Sequence, residues 1–453
     1  MQTRGINLLG YLSARLGLGE AARNSARVLA HRDDHFASAD IMPTAHLTHE
    51  SVDPEWNVVN DARELIYGVD LFHMNPPEIV AMIAHRKVPR LEWRSTLNVA
   101  VPFWELPSLP ESWCKALGMM DIVLAPSLYV KGIVESAVPD ATIIQYPQAV
   151  HRPEVIVRDR ARWALAEGAI VFLCMFDVMS DSKRKNPWGA IEAFFGAFPD
   201  RSDVRLVIKV NNARAPQVDP GDIARLEGLV ASDSRIVLVE ESLSRDDLWS
   251  LYACCDVFVS LHRAEGLGLG PLEAMATGAA VVATGYSGVM DFMTAENSVP
   301  VPYDLVPVAG TSIDSYAGEG EGQFWAEPDV AAAAAALRRL ADDEPFRREL
   351  GRHAARTAKQ AADRQLRGEV FDRLLLEWDA GRVDGAGHRS RISKLEFASR
   401  AAGFRRSVVM AMRATGIKPP PPEAERLYTD ALRLALPEDR PERRAAPGRS
   451  VAL

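Results

Sequence analysis

The chain has 453 residues, about three times a ~150-residue domain unit, so two or three domains are expected. Apolar residues make up 47% and charged residues 25%, which excludes wholesale disorder, collagen-like repeats and coiled coil. The net charge of −9 argues against a whole-protein nucleic-acid binder, and no apolar run reaches the ~20 residues that a membrane-crossing helix needs.

Residues 1–12, MQTRGINLLGYL, carry one Arg and a short apolar stretch without a small-residue cleavage site. They read as a strand, Ile6–Leu12, and not as a secretory signal, so a cytoplasmic protein is expected. Further apolar runs follow at Val69–Met74, Leu97–Phe103, Ile122–Ala125 and Thr142–Tyr146. A second series occupies Ile170–Phe176, Val204–Val210, Arg235–Val239, Val257–Leu261 and Ala280–Thr284. Runs such as IVFLC and VFVSL do not alternate, as expected of strands buried on both faces of a parallel sheet. Helical patterns lie between them, among them Glu20–Ala30, Trp188–Phe198 and Asp246–Cys254. This rhythm predicts an α/β protein. The stretch 147–160, PQAVHRPEVIVRDR, holds two Pro and a burst of charge and reads as a linker. A doubly wound domain is expected on each side, over 1–150 and 151–360. Beyond Tyr303 comes a Gly-rich loop, Ala309–Gln323, then helical patterns at Asp329–Leu340, Glu344–Lys359 and Ala361–Trp378.

Charge divides the chain unevenly. Residues 381–453 hold fifteen Lys and Arg against eight Asp and Glu, a net +7 on a body of −16. Within them, 397–414 place Phe397, Ala401, Phe404, Val408 and Met412 at helical spacing, with Arg400, Arg405, Arg406 and Arg413 among them. Such a helix either packs on the acidic body or lies on an anionic membrane, the inner face of the cell membrane being the expected one. Cys114, Cys174, Cys254 and Cys255 are too few and too scattered for a disulfide frame or a structural zinc site.

The segment that points most directly to chemistry is EGLGLGPLEAMATG, Glu265 to Gly278. It follows a strand and opens a short helix. Gly266, Gly268 and Gly270 allow close backbone approach to a ligand, and helix N-terminal N–H groups favour phosphate. Glu265 and Glu273 can both face a ligand lying over the strand ends, where carboxylates accept from vicinal sugar hydroxyls. The same residues also serve as a plain strand–helix turn, with Glu273 merely favoured by the helix dipole.

The stretch from Glu265 to Glu273 resembles the E-x7-E motif of retaining glycosyltransferases of GT-B fold, family 4. Asp177 to Pro187 resembles that family's basic loop after the first strand of the second domain. Thr284 to Asp291, Gly17-Leu18-Gly19-Glu20 and Ala125-Pro126-Ser127 resemble three more of its loops, in order. The resemblance covers roughly residues 5–378. It implies a GT-B fold, two Rossmann-like domains facing across a cleft, with a helix over 361–380 crossing back to the first domain. It implies that Glu273 holds the nucleotide ribose and that Glu265 lies by the donor sugar. Gly266, Leu267, Gly268, Leu269 and Gly270 would meet the diphosphate, which Lys185 would neutralise. Many relatives carry Gly-Arg-Leu where this chain has Asp177-Val178-Met179, so Arg184 or Lys209 is expected to replace that Arg. Leu267 stands where Phe is common.

The first domain is expected to hold the acceptor. Gly17 and Gly19 would border the donor–acceptor junction, and His73 and Glu105 follow strand ends where α/β proteins place site residues. Taken alone, Gly17, Gly19, Ala22 and Asp40 also fit a dinucleotide fingerprint, and a lone His or Glu in such a loop is often structural. His262 precedes the donor loop by three residues and joins Glu265 and Lys185 as a catalytic candidate. There is no phosphate-binding P-loop, no H-E-x-x-H, no G-x-S-x-G and no Asp-x-Asp metal pair. The expected activity is transfer of a sugar from a nucleotide-sugar to the hydroxyl of a sugar or lipid-linked sugar, with no metal or other cofactor. A silent GT-B binding subunit, a dinucleotide-dependent oxidoreductase and a sugar-nucleotide epimerase or phosphorylase of the same fold are the alternatives.

Overall fold

The computed structural model describes residues 2–41, 52–59, 62–84, 94–213, 220–309 and 322–395. The basic stretch 397–414 lies outside the described residues. The first sheet holds β1 (Thr3–Gly10), β2 (Phe36–Asp40), β3 (Tyr67–His73), β4 (Leu97–Ala100), β5 (Ile122–Ala125) and β6 (Ile143–Gln145). Their order is β2-β1-β3-β4-β5-β6, all parallel. Helices α1 (Gly17–His31), α2 (Pro76–Ala84), α3 (Glu111–Leu117) and α4 (Leu128–Ala137) are its crossovers. The second sheet holds β7 (Ile170–Asp177), β8 (Val204–Asn211), β9 (Ile236–Val239), β10 (Val257–Ser260), β11 (Ala280–Thr284) and β12 (Val299–Val301). Its order, β12-β11-β10-β7-β8-β9, is again all parallel. Between its strands run α5 (Ser182–Lys185), α6 (Pro187–Ala197), α7 (Pro220–Ser232), α8 (Arg245–Cys254) and α9 (Leu269–Thr277). The expected pair of Rossmann-like domains is present.

Physical pattern explains which strands the sequence reveals. In β1, Ile6, Leu8 and Leu9 are fully buried, as are Val171, Phe172 and Leu173 in β7. These are non-alternating runs sandwiched between helix layers. The strand FASAD, β2, has small and polar residues and goes unpredicted; it is held by its pairing with β1. Also unpredicted are β12 and the antiparallel hairpin β13 (Tyr303–Pro307) with β14 (Phe324–Pro328), which carries Trp325 into the core beside Trp104 of the first domain.

Three helices follow: α10 (Val330–Asp342), α11 (Glu344–Leu366) and α12 (Glu369–Asp379). The break expected near Lys359 falls instead at Gly368, whose φ of +65° ends the long helix. The segment α12 buries Phe371, Leu374 and Leu375 with Ile6, Leu71 and Val99 of the first sheet. A Cβ at Gly68 would stand 2.1 Å from the Trp378 ring, so glycine there makes room for the crossing helix. Residues 386–395 add a last helical segment, where His388 and Arg391 meet Asp121.

Candidate active site

In an open parallel sheet a ligand crevice forms where neighbouring strands lead to helices on opposite faces. Here that point lies between β7 and β10 in the second sheet and between β1 and β3 in the first. Gly17 and Gly19 follow β1, His73 ends β3, Arg184 and Lys185 follow β7, and His262 and Glu265 follow β10, whereas Lys209 lies in β8, Glu105 beyond β4 and Glu273 within α9. After β7, the Asp181 carboxylate accepts from the Lys183 N–H at 2.8 Å and starts α5. Asn186, at φ +47°, caps α6 and donates to the Leu261 carbonyl at 2.9 Å. The basic loop is thereby tied to the end of β10.

That tie brings Lys185 and Glu265 together, Nζ to Oε1 at 2.5 Å. Arg184 is buried, donates to the Ala264 carbonyl at 2.8 Å, and lies 3.6 Å from both Glu265 and Glu105. Glu105 comes from the first domain, so the pair spans the cleft. Burial would raise the Glu265 pKa, but Lys185 and Arg184 hold it down to about 2. It is a carboxylate at any ordinary pH.

Close backbone approach is real, and much of it is to protein. A Cβ at Gly266 would lie 2.8 Å from the Trp104 carbonyl, and the Gly266 carbonyl accepts from Ser127 Oγ at 2.6 Å. Gly268 has φ +92° and lies against Val289. Leu267 is buried beneath the loop. Gly270 packs over Phe258 and Met175. The N-terminus of α9 has no side-chain cap, nor has that of α1. These two ends meet: a Cβ at Gly17 would be 3.9 Å from Leu269. Two uncapped helix N-termini side by side favour a negatively charged group. Gly19 instead fits against the Tyr11 and Ala14 carbonyls, 2.6 and 2.4 Å from its would-be Cβ. Asp40, which a dinucleotide reading would turn to a ribose, accepts from the Ser13 N–H at 3.1 Å.

Glu273 departs from expectation. It is the fifth residue of α9, in the second turn, and only 4% exposed. Its Oε1 accepts from Arg245 at 2.8 Å and its Oε2 from the Tyr252 hydroxyl at 2.8 Å. Arg245 also reaches Glu20 of α1 at 3.2 Å. Glu20 is held further by Arg23 at 2.9 Å and Arg27 at 3.0 Å. Burial opposes the charge on Glu20, but Arg245, Arg27 and Arg23 push its pKa far below the carboxylate range.

The two histidines are buried and neutral. Ser260 Oγ lies 3.0 Å from His262 Nδ1, and the Tyr286 carbonyl lies 3.4 Å from its Nε2. Only a ring protonated at Nε2 suits both, and burial lowers its pKa to about 4. This ring holds the Tyr286 loop. His73 is fully buried at the end of β3, its pKa lowered by burial to about 3. Gln365 donates to the Tyr146 hydroxyl at 3.4 Å, Tyr146 lies 2.8 Å from Ser25 Oγ, and Ser25 lies 2.8 Å from His73 Nε2. His73 Nδ1 has no hydrogen-bond partner among the described residues. Lys209, near the end of β8, is buried and donates to the Val210 carbonyl at 2.9 Å and Asn211 at 2.7 Å. Burial lowers its pKa to about 8.

Sequence reasoning missed Arg245, Tyr252 and the role of Glu20. One signal was available for Arg245. It is the first residue of its helix, where a cation opposes the dipole, so some other partner had to favour it. Tyr252 carries no such mark.

Residues 232–301 match the family described as glycosyl transferases group 1, a span that takes in Arg245, Glu265, Glu273 and the loop after β11. The chain is 32% identical over 181 residues to the serotype-specific mannosyltransferase WbdA of Escherichia coli, covering 38% of this chain and 19% of that protein. A second WbdA sequence of the same organism matches at 32% identity and 18% of its length, so the chain spans about a fifth of these curated relatives. Sucrose-phosphate synthase from Thermosynechococcus elongatus superposes with a TM-score of 0.58 at 16% identity, over 83% of this chain and 100% of that one. An E. coli trehalose-6-phosphate structure bound with UDP-2-fluoro glucose gives 0.55 at 11% identity, over 82% and 98%. At such identities the likeness is one of fold, the GT-B arrangement.

Proposed function

We propose that the protein is a retaining glycosyltransferase of family 4, moving a sugar from a nucleotide-sugar to a hydroxyl acceptor without a metal ion. The observation that carries the reading is the Lys185–Glu265 pair with Arg184 beside it, set at the ends of β7 and β10. The adjoining uncapped ends of α1 and α9 support an anionic ligand at the same place. A leaving nucleoside diphosphate gains negative charge in the transition state, and fixed cations and N–H groups stabilise it there. In the proposed step the anomeric C–O bond to the diphosphate breaks as the acceptor oxygen bonds on the same face. The acceptor proton passes to a phosphate oxygen of the leaving group. Lys185 and Arg184 neutralise the diphosphate, and Glu273 holds the ribose. Glu105, 3.6 Å from Arg184, supplies a carboxylate to the acceptor side. His73 Nδ1, a buried ring nitrogen without a partner among the described residues, supplies a hydrogen-bonding group there.

The likeness to WbdA makes mannose the first donor sugar to try and a growing sugar chain, free or lipid-linked, the first acceptor. Among the described residues no group of three His, Cys, Asp or Glu is placed to hold a metal ion, and no helix is long and apolar enough to cross a membrane. The test is a thermal-shift screen of UDP, GDP, ADP and their sugars in excess chelator. A nucleotide at 100-fold its Kd is expected to add about 2.7 kcal/mol of stability. No shift with any of them would refute the reading.

A further inference from the structure

We infer that Arg245 is a positioning residue that makes the hold of Glu273 on a nucleoside diphosphate depend on the two domains being drawn together. The inference rests on Glu273 as the ribose ligand. One guanidinium spans both domains: its two terminal nitrogens reach Glu273 at 2.8 Å and Glu20 at 3.2 Å. The planar fork fixes the direction of each carboxylate relative to the other. Glu20 is a rigid anchor, because Arg23 and Arg27 hold it from its own helix.

Lone-pair counting shows what this does for a ligand. Each carboxylate oxygen accepts about two hydrogen bonds. Arg245 takes one on Oε1 and Tyr252 one on Oε2. One remains on each oxygen, the spacing that two vicinal ribose hydroxyls need. With the domains apart, Glu20 no longer draws one end of the fork aside. The guanidinium then lies two-pronged along Glu273, its most favourable pairing with a carboxylate, and fills the position on Oε2 beside Tyr252, leaving one acceptor site where the diol requires two. Closure therefore favours nucleotide binding, and by linkage bound nucleotide favours closure.

The test is titration calorimetry of the full chain with UDP, GDP and ADP in turn, with the radius of gyration of each free protein measured by X-ray scattering. Wild type, Glu273→Ala, Glu20→Gln and Tyr252→Phe are compared below their unfolding temperatures. Glu20 is paired with Arg23, Arg27 and Arg245 and lies on the other domain from Glu273, yet Glu20→Gln is expected to weaken the nucleotide roughly tenfold, the size of a typical coupling, and to enlarge the free protein. Tyr252→Phe is expected to weaken it too, with the radius unchanged. If Glu20→Gln does not fold, Arg245→Lys, which keeps the charge and loses the fork, carries the same expectation. Wild-type affinity in Glu20→Gln, or in Arg245→Lys where that stands in, overturns the proposal while the ribose reading survives. Unchanged affinity in Glu273→Ala, or no binding by wild type, overturns the ribose reading and this proposal with it.

Discussion

Glu273 looks, in sequence, like an exposed carboxylate in the first turn of a helix, worth only ~0.3–1 kcal/mol to it. In the structure it is buried between Arg245 and Tyr252. Glu273→Ala strands a guanidinium and a phenol, so it is expected to cost about 2–4 kcal/mol in urea unfolding. Glu273→Gln, which still accepts from one of them, is expected to cost less. Equal, negligible losses would contradict the geometry. The E-x7-E spacing made the residue legible. Its partners were not, because Arg245 lies 28 positions earlier and Glu20 on another domain. The histidines carry the opposite lesson. His262 and His73 have pKa values of about 4 and about 3, so neither titrates near neutrality. The pH profile of kcat/KM between pH 5 and 8 is expected to keep its shape in His262→Gln. Loss of an inflection near 6.5 in that variant would show an ionising ring.

Elements were legible where burial alone defines them. IVFLC and LVIKV stand out because both faces are apolar, while FASAD forms a strand only through its neighbour. The junction of α11 and α12 was misread because their apolar stripes run on without an obvious gap, and only Gly368 breaks them. Glycine matters again at Gly68, where the Trp378 ring occupies the space a methyl group would need. Gly68→Ala is expected to cost about 1–3 kcal/mol as overpacking and to expose Trp378, seen as a red shift of its fluorescence. Wild-type stability and emission would show that α12 is not seated there.

At the scale of the molecule, the acidic body and basic tail meet at Asp121. His388 Nδ1 lies 3.0 Å from that carboxylate and Nε2 lies 3.1 Å from the Arg94 carbonyl, so both ring nitrogens donate and the ring is charged. Arg391 adds a second cation at 2.8 Å. Burial would lower the His388 pKa, but Asp121 and the carbonyl raise it above 6.5. Its contribution is complete below 6.5 and lost as pH rises through the folded value. Burial would raise the Asp121 pKa, but His388, the Asn98 N–H and Arg391 lower it below 3.8. That contribution is complete above 3.8 and lost as pH falls through the folded value. Docking of residues 386–395 is therefore expected to be firmest between about pH 4 and 6.5, and tryptic cleavage at Arg389 and Arg391 to quicken from pH 6.5 to 9. A rate ratio to an exposed site that stays constant over this range would contradict the pairing.

Lys185, after β7, and Glu265, after β10, meet at the switch point of the second sheet, and the central claim is the proposal that sugar leaves a nucleoside diphosphate there with its configuration kept. The most direct measurement is proton NMR of the enzyme turning over nucleotide-sugars in excess EDTA, reading the anomeric coupling of donor and product. An α-linked donor is expected to give an α-linked product and one nucleoside diphosphate per transfer, with Lys185→Ala losing the reaction. An inverted product, activity only on adding Mn²⁺, or full turnover by Lys185→Ala would contradict it.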